Sequence, residues 1–352
     1  MKNIDEKLNI LKDTMAGRKI KIMILGLGSV GGYLLDYLMS SKDDGMEICV
    51  VGRNVEKMRS DVNIVRVASM IRGQNRTNIT IRSNVDLNDI ESIAACIREC
   101  RPDIIINSSR AYSGLKYGTI SWKNVRAYGI WAPLAIKYVR NIMEAYENTG
   151  SHAIVINTSY SDAVIPWLKS AGKAYPDFGS GNINHLIPRI QFAAAEKYGI
   201  EDYWNIKVTY ATGHFHDVVI SKEGQTEQVS QLIDLRYEER KLEPDLEQIF
   251  AACKIAMPTD AKRNMMNASS NFEIIQGILA AVREGRKIKL HCPGVFGYPG
   301  GYPVIIDGSG SRIKAYIDDT YFDVESMRCK NRESLYLDGI ESVENGVLTY
   351  TD

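Results

Sequence analysis

Glycines at 26, 28 and 31 sit in the run Ile22-Met-Ile-Leu-Gly26-Leu-Gly28-Ser-Val-Gly31-Gly32. This is G-x-G-x-x-G spacing between an apolar stretch and an amphipathic one, and its chemistry is phosphate binding. Gly26 permits a tight turn, Gly28 lets the backbone approach a pyrophosphate, and Gly31 lets strand and helix pack closely. Ser29 and Val30 open a helix whose unpaired N–H groups and positive end face the phosphates. A plain strand–helix turn can carry the same glycines; the alternating pattern downstream favours the dinucleotide reading. Where a carboxylate would meet the ribose hydroxyls, the chain reads Val51-Gly52-Arg53-Asn54. Nothing there repels a 2′-phosphate and Arg53 can pair with one, so NADP(H) is expected ahead of NAD(H).

The elements that must position this turn are set by periodicity. Short apolar runs at Lys19–Leu25, Met46–Val51, Asn78–Ile81, Asp103–Ile106 and Ala153–Ile156 read as strands. Helical spacing separates them, including Asp61–Ile71, Leu87–Cys100 and a long helix from about Trp122 to Glu147. Strands apolar on both faces, alternating with helices, predict an α/β Rossmann domain with a doubly wound parallel sheet over 1–172. Residues 1–18 form a short amphipathic helix packed on that domain or on a partner subunit. The pattern then changes to an α+β substrate domain over 173–352. Its expected helices are Pro188–Tyr198, Gln228–Arg236, Asp245–Ala256 and Asp260–Glu284. Its expected strands are Ile206–Thr212, Val218–Ser221, Lys287–His291, Pro303–Ile306 and Arg312–Ile317. The tail, Val343-Glu-Asn-Gly-Val347, carries a hairpin signal, giving a C-terminal β extension.

The bulk composition excludes several classes. Lys plus Arg and Asp plus Glu are both 43, so net charge is zero and offers no electrostatic case for nucleic acid or an anionic membrane. Six cysteines spread over 352 residues, with no C-x-x-C pair and no apolar leader, lead to an expectation of reduced thiols and a cytoplasmic protein. No run reaches the roughly 20 apolar residues of a membrane span, and no metal site is expected.

From about residue 20 to 317 the order of features resembles the lactate/malate dehydrogenase family. Asp103-Ile-Ile-Ile-Asn107-Ser108-Ser109-Arg110 resembles the strand that leads into that family's mobile substrate loop. Lys123-Asn-Val with the helix after it resembles the segment on the far side of that loop. Val155-Ile-Asn157, Gly179-Ser-Gly181 with Arg189, Gly213-His214-Phe215-His216-Asp217 and Gly300-Gly-Tyr-Pro303 resemble its later segments, in order. The resemblance implies a hydride-transferring dehydrogenase of small 2-oxo/2-hydroxy carboxylates that assembles as a homodimer or homotetramer. It makes Asn157 the group that orients the substrate oxygen and Arg189 the carboxylate anchor, with Asn107, Ser108 and Ser109 on the cofactor side. The family's acid/base histidine aligns with Phe215, so the role falls to a neighbour after a one-residue slip: His216, beside Asp217, is preferred, with His214 next. The family's partner aspartate is missing; Asn184 or His185 stands near its place. The arginine that polarises the carbonyl has its counterpart at Lys116 or Tyr117, or in Arg110, and Ser269 lies where a late helix lines the pocket.

These departures keep other readings open. An opine-type imine reductase joining an amine to a 2-oxo acid would suit the altered proton handling. A dinucleotide sensor that has lost catalysis would explain the missing aspartate. An epimerase-like reading lacks a Tyr-x-x-x-Lys pair after the fifth strand.

Overall fold

The structure, a computed structural model, describes residues 2–112 and 120–352. Six strands form one parallel sheet: β1 (Ile20–Leu25), β2 (Met46–Val51), β3 (Asn78–Arg82), β4 (Ile104–Asn107), β5 (Ile154–Asn157) and the short β6 (Phe178–Gly179). Their order is β3-β2-β1-β4-β5-β6. The order reverses between β1 and β4, and such a switch point opens a crevice at the carboxyl ends of the strands.

Both faces of the sheet are dry, which is why its strands read as near-continuous apolar runs. Ile20, Ile22 and Ile24 face a core that includes Leu34, Leu35 and Leu38 of α2 (Ser29–Ser40). Met23 and Leu25 face the opposite core, with Ile93 and Ile97 of α4 (Ile90–Cys100) and Val139 and Ile142 of α5 (Ala132–Asn148). The N-terminal helix α1 (Ile4–Gly17) carries a capping box between Asn3 and Glu6 and buries Leu8 and Leu11 in the first core. Its Lys7 ammonium lies 2.7 Å from Asp177, out of solvent.

In the second half, β7 (Lys207–Ala211), β8 (Leu232–Tyr237) and β9 (Arg240–Leu242) form an antiparallel sheet, and β10 (Lys287–Pro293), β11 (Gly301–Asp307) and β12 (Lys314–Ile317) form another. Residues 218–221, expected as a strand, instead lie in helix α8 (His214–Glu223), bracketed by Gly213 as N-cap and Gly224 at φ +74° as a left-handed C-cap. The stretch 228–236, expected as a helix, supplies β8: Leu235 pairs with Val208 in an antiparallel ladder, and that pairing overrides a weak helical period. Two α-helices were not expected at all: α6 (Ser161–Ser170), and α11 (Val324–Leu337), which leads through Asp338 and Gly339 into the hairpin β13 (Ile340–Glu344) and β14 (Val347–Tyr350); the short strands β6 and β9 were not expected either. Asn345 and Gly346 take the positive φ values, 51° and 77°, that the hairpin signal called for.

The two halves share a core. Ile274, Ile275 and Ile278 of the long helix α10 (Asn264–Glu284) belong to the same cluster as Leu34 and Leu38 of α2. This packing fixes the second half over the glycine turn. Among the described residues no helix is long and apolar enough to cross a membrane.

Candidate active site

A cavity of about 1090 Å³ runs from the glycine turn, past the end of β2, to the first turns of the second-half helices. At its first end Gly26 adopts φ +92°, which an L side chain rarely takes. A Cβ on Gly31 would stand 2.2 Å from the Gly26 carbonyl oxygen, so the helix can approach only as glycine. A Cβ on Gly28 would meet nothing within 4 Å: its side-chain position is open cavity, where a ligand can approach the backbone. Ser108 locks the turn by donating to the Gly26 carbonyl at 2.6 Å. The cradle therefore fits a dinucleotide diphosphate at the N-terminus of α2. Arg53, Asn54 and Lys57 line the cavity beyond β2, with Asn54 also capping the following helix (Val55–Ile71) through the Lys57 N–H.

The opposite wall is built by α8. On a helix, residues three and four apart share a face, and His214, Asp217, Val218 and Ser221 all line the cavity. The Nδ1 of His214 lies 2.7 Å from Oδ2 of Asp338. A carboxylate accepts, so Nδ1 carries the proton and Nε2 is left towards the cavity. Asp338 is fully buried and held on all sides. Its Oδ1 accepts from the Tyr128 N–H at 2.8 Å, its Oδ2 accepts from the Tyr160 hydroxyl at 2.6 Å, and its carbonyl accepts from the Gly129 N–H. The rings of Tyr128 and Tyr160 meet the His214 imidazole edge-on, at 4.7 and 5.0 Å between centroids. Lys222 donates to the Tyr128 hydroxyl, and Arg126 pairs with Glu223, so α8 also anchors the segment that carries Tyr128. Burial works against the charged imidazole, but Asp338, reinforced by Asp162 and Asp217, outweighs it and holds the His214 pKa above its ordinary value.

Next to this pair, Asp217 is buried; desolvation raises its pKa to about 6, with His214 and Arg189 opposing the rise. Its Oδ1 has no hydrogen-bond partner among the described residues. Its Oδ2 lies 4.0 Å from His185 Nδ1. His185 is held neutral, its pKa pushed down to about 3 by burial and by the cations Arg189 and Arg263. Arg189 is 3% exposed; its Nη1 donates to the Cys253 carbonyl at 2.8 Å and its Nη2 reaches the Met257 sulfur, while Nε has no partner among the described residues. Arg263 also lines the cavity.

The expected residues divide accordingly. Gly26, Gly28, Ser29, Val30, Arg53, Asn54, Ser108, Ser109, Arg110, His185, Arg189 and His214 line this one cavity. Gly31 stands behind it as the close-packing glycine. His216 does not line it: on a helix it points about 200° away from His214, its Nε2 meets the Thr226 carbonyl at 3.2 Å, and burial lowers its pKa to about 4. Asn157 is fully buried below the cavity floor, accepting from Asn107 at 2.9 Å and donating to the Ser159 carbonyl and Ser161 hydroxyl. Asn107 is spent on Asn157 and on Ser109. Both hold strand ends together, because a buried amide satisfies its groups where they lie. Ser269 faces solvent on α10, while its neighbour Ser270 turns inward to accept from the Gly181 N–H. Lys116 and Tyr117 lie outside the described residues. Asp338, Tyr128, Tyr160, Asp162 and Arg263 were not expected. Asp338 is 124 positions from His214, and no local spacing links them.

Residues 22–123 match the family described as Saccharopine dehydrogenase NADP binding domain. No curated protein matches the sequence. Solved structures match the fold over most of its length. The malate dehydrogenase of Cryptosporidium parvum gives a TM-score of 0.59 at 15% identity, covering 91% of this chain and 98% of that one. The lactate dehydrogenase of the same organism, complexed with lactic acid and nicotinamide adenine dinucleotide, gives 0.56 at 14%, covering 91% and 97%. The malate dehydrogenase of Aeropyrum pernix gives 0.55 at 15%, covering 89% and 94%. The chain thus has a divergent lactate/malate dehydrogenase-like fold, with a Rossmann sheet followed by an antiparallel-sheet region.

Proposed function

We propose that the chain is an oxidoreductase that uses NADP(H) to interconvert a small 2-oxo and 2-hydroxy carboxylate, or a close analogue. The observation that carries this is the presence, in one cavity, of a glycine cradle at a helix N-terminus, a buried histidine–aspartate pair and an arginine with an unspent N–H.

The backbone N–H groups of Gly28, Ser29 and Val30 would hold the diphosphate, and Arg53 with Lys57 would face the adenosine ribose, where the cations suit a 2′-phosphate. Bound there, the nicotinamide would supply or accept the hydride. His214 holds the proton that the substrate oxygen gains on reduction. Asp338 fixes the ring so that Nε2 faces that oxygen, and stabilises the imidazolium that forms when the ring takes up the proton. Arg189, with Arg263, anchors the carboxylate. Tyr128, Trp122 and the buried face of α8 keep water from the reacting atoms. Asp338 supplies the carboxylate whose apparent lack favoured a non-catalytic sensor.

The test is direct titration of the purified chain with NADP+ and NAD+, followed by turnover of NADPH with a panel of 2-oxo acids. NADP+ is expected to bind tighter, and Arg53→Gln to lower the NADP+/NAD+ preference by about tenfold or more. If neither dinucleotide binds at millimolar concentration, the reading is overturned.

A further inference from the structure

Three cysteines that the proposed reaction does not use come together on the face of the sheet turned away from α2. Cys49 lies on β2, and Cys96 and Cys100 lie on α4. None of them lines the dinucleotide cavity. Cys49 Sγ and Cys100 Sγ stand 3.1 Å apart, and both thiols are free. Cys96 also hydrogen-bonds Cys100, and so does the guanidinium of Arg82 at the end of β3. An arginine can only donate, and each thiol has one proton to give. With three donors around one sulfur, Cys100 is the acceptor of the group.

The ionisation of the cluster follows from that arrangement. Hydrogen bonds from Cys49 and Cys96 hold the Cys100 pKa well below the ordinary thiol range; burial opposes them and Arg82 adds to them. Cys49 and Cys96 are pushed up, first by donating to Cys100 and then by burial. Cys253 and Cys292 show the contrary case, since burial pushes both of their thiols up. Cys100 ends α4, is 7% exposed, and lies beside the surface pair of Arg82 and Glu99, 3.7 Å apart. A small oxidant meets its sulfur when the half-exposed Arg82 side chain swings aside.

We propose that Cys100 is a peroxide-reactive thiolate and Cys49 its resolving thiol, the two closing a reversible disulfide. The site lies outside the cavity and does not rest on the cofactor reading. In the first step the Cys100 sulfur attacks a peroxide oxygen and the O–O bond breaks. With hydrogen peroxide this leaves a sulfenic acid and hydroxide. Once that thiolate is consumed, the main cause of the raised Cys49 pKa is gone. The Cys49 sulfur then attacks Cys100, the S–O bond breaks, and the departing hydroxyl leaves as water with the Cys49 proton. The sulfurs have to close from 3.1 Å to about 2.05 Å. Cys96 cannot take this role: residues four apart on a helix hold their Cβ atoms about 5–6 Å apart, whereas a disulfide needs about 3.5–4.5 Å. The new bond ties β2 to the last residue of α4, and a dithiol reductant reopens it by exchange, becoming a disulfide itself.

The experiment exposes the reduced full chain to hydrogen peroxide between about pH 6 and 8, alkylates the remaining thiols in denaturant and maps the peptides by mass spectrometry. A linked Cys49–Cys100 peptide is expected, lost again on adding dithiothreitol. It should form at least about tenfold faster than the exposed Cys329 is oxidised. Its rate should change by less than about threefold across that pH range, because Cys100 is a thiolate throughout; an ordinary thiol, with a pKa of about 8.5, gains more than about tenfold. Cys49→Ser is expected to stop at the sulfenic acid, captured on Cys100 by dimedone, and Cys100→Ser to leave Cys49 unoxidised. Cys49 and Cys100 both fully alkylated after Cys329 has been oxidised would overturn the proposal on the wild-type chain alone, whether or not the variants fold. So would a linkage through Cys96, or a rate that climbs with pH as an ordinary thiol's does.

Discussion

Between Leu25 and Gly32 the phosphate cradle is built from consecutive residues, whereas the wall that faces it draws Tyr128, Tyr160, His185, His214, Arg263 and Asp338 from separate segments. The cradle works through its backbone. Its glycines matter for what they lack, and the sheet behind them holds the turn. The wall works through side chains whose ionisation depends on neighbours distant in sequence. A change in the cradle should therefore be felt first in folding or in dinucleotide affinity. A change in the wall should be felt first in proton handling, with the fold and the dinucleotide untouched.

Asp338→Asn puts that contrast under the greatest strain. The amide can still accept from the Tyr128 N–H but can no longer stabilise an imidazolium or dictate the tautomer. The turnover rate should fall by on the order of 10³–10⁴, while NADP+ affinity stays within about twofold in calorimetry. A rate within tenfold of wild type would show that the wall does not depend on its remote carboxylate. A smaller effect separates two glycines of the cradle. Gly31→Val drives a side chain into the Gly26 carbonyl, 2.2 Å from the new Cβ, and should cost about 3 kcal/mol or more in denaturant unfolding. Gly28→Ala meets open space, so it should leave stability unchanged and lower dinucleotide affinity by about tenfold. Equal thermal midpoints for the two variants would contradict a cradle held together by the Gly31 contact.

The effect that vanishes at one end of the pH range concerns stability. Asp217 binds its proton more tightly in the folded chain, at about 6 against an ordinary 3.8. Its ionisation therefore costs nothing below pH 3.8, and the penalty grows as pH rises through 6. Asp217→Asn removes that penalty. It should raise the unfolding free energy by up to about 3 kcal/mol near pH 8, with the advantage fading towards pH 4. An advantage that grows on acidification would show that the carboxylate is paired in the native state.

The same contrast separates the features legible in the sequence from those that are not. The cradle, the parallel strands and the hairpin turn are local, encoded by glycine spacing and apolar runs. Gly213 to Gly224 bracket a helix, yet Val218-Val-Ile within it is rich in β-branched residues and reads as a strand. A strand would put His214 and His216 on one face, whereas the helix sends them to opposite sides and brings Asp217 beside His214 instead. Asp338 was invisible because it caps an unexpected helix, α11, at the far end of the chain. Asn157 carries the right residue type at a strand end, but its amide is consumed by Asn107 and Ser161, a matter of packing that spacing does not reveal.

Whether a remote carboxylate raises the proton affinity of His214 at the cavity wall can be read from an NMR titration of the histidine side chains in wild-type and Asp338→Asn chains. His214 is predicted to titrate above 6.5 in the wild type and to drop below it in the variant, as burial acts unopposed. Titration of His214 at or below 6.5 in both chains would contradict the role given to Asp338.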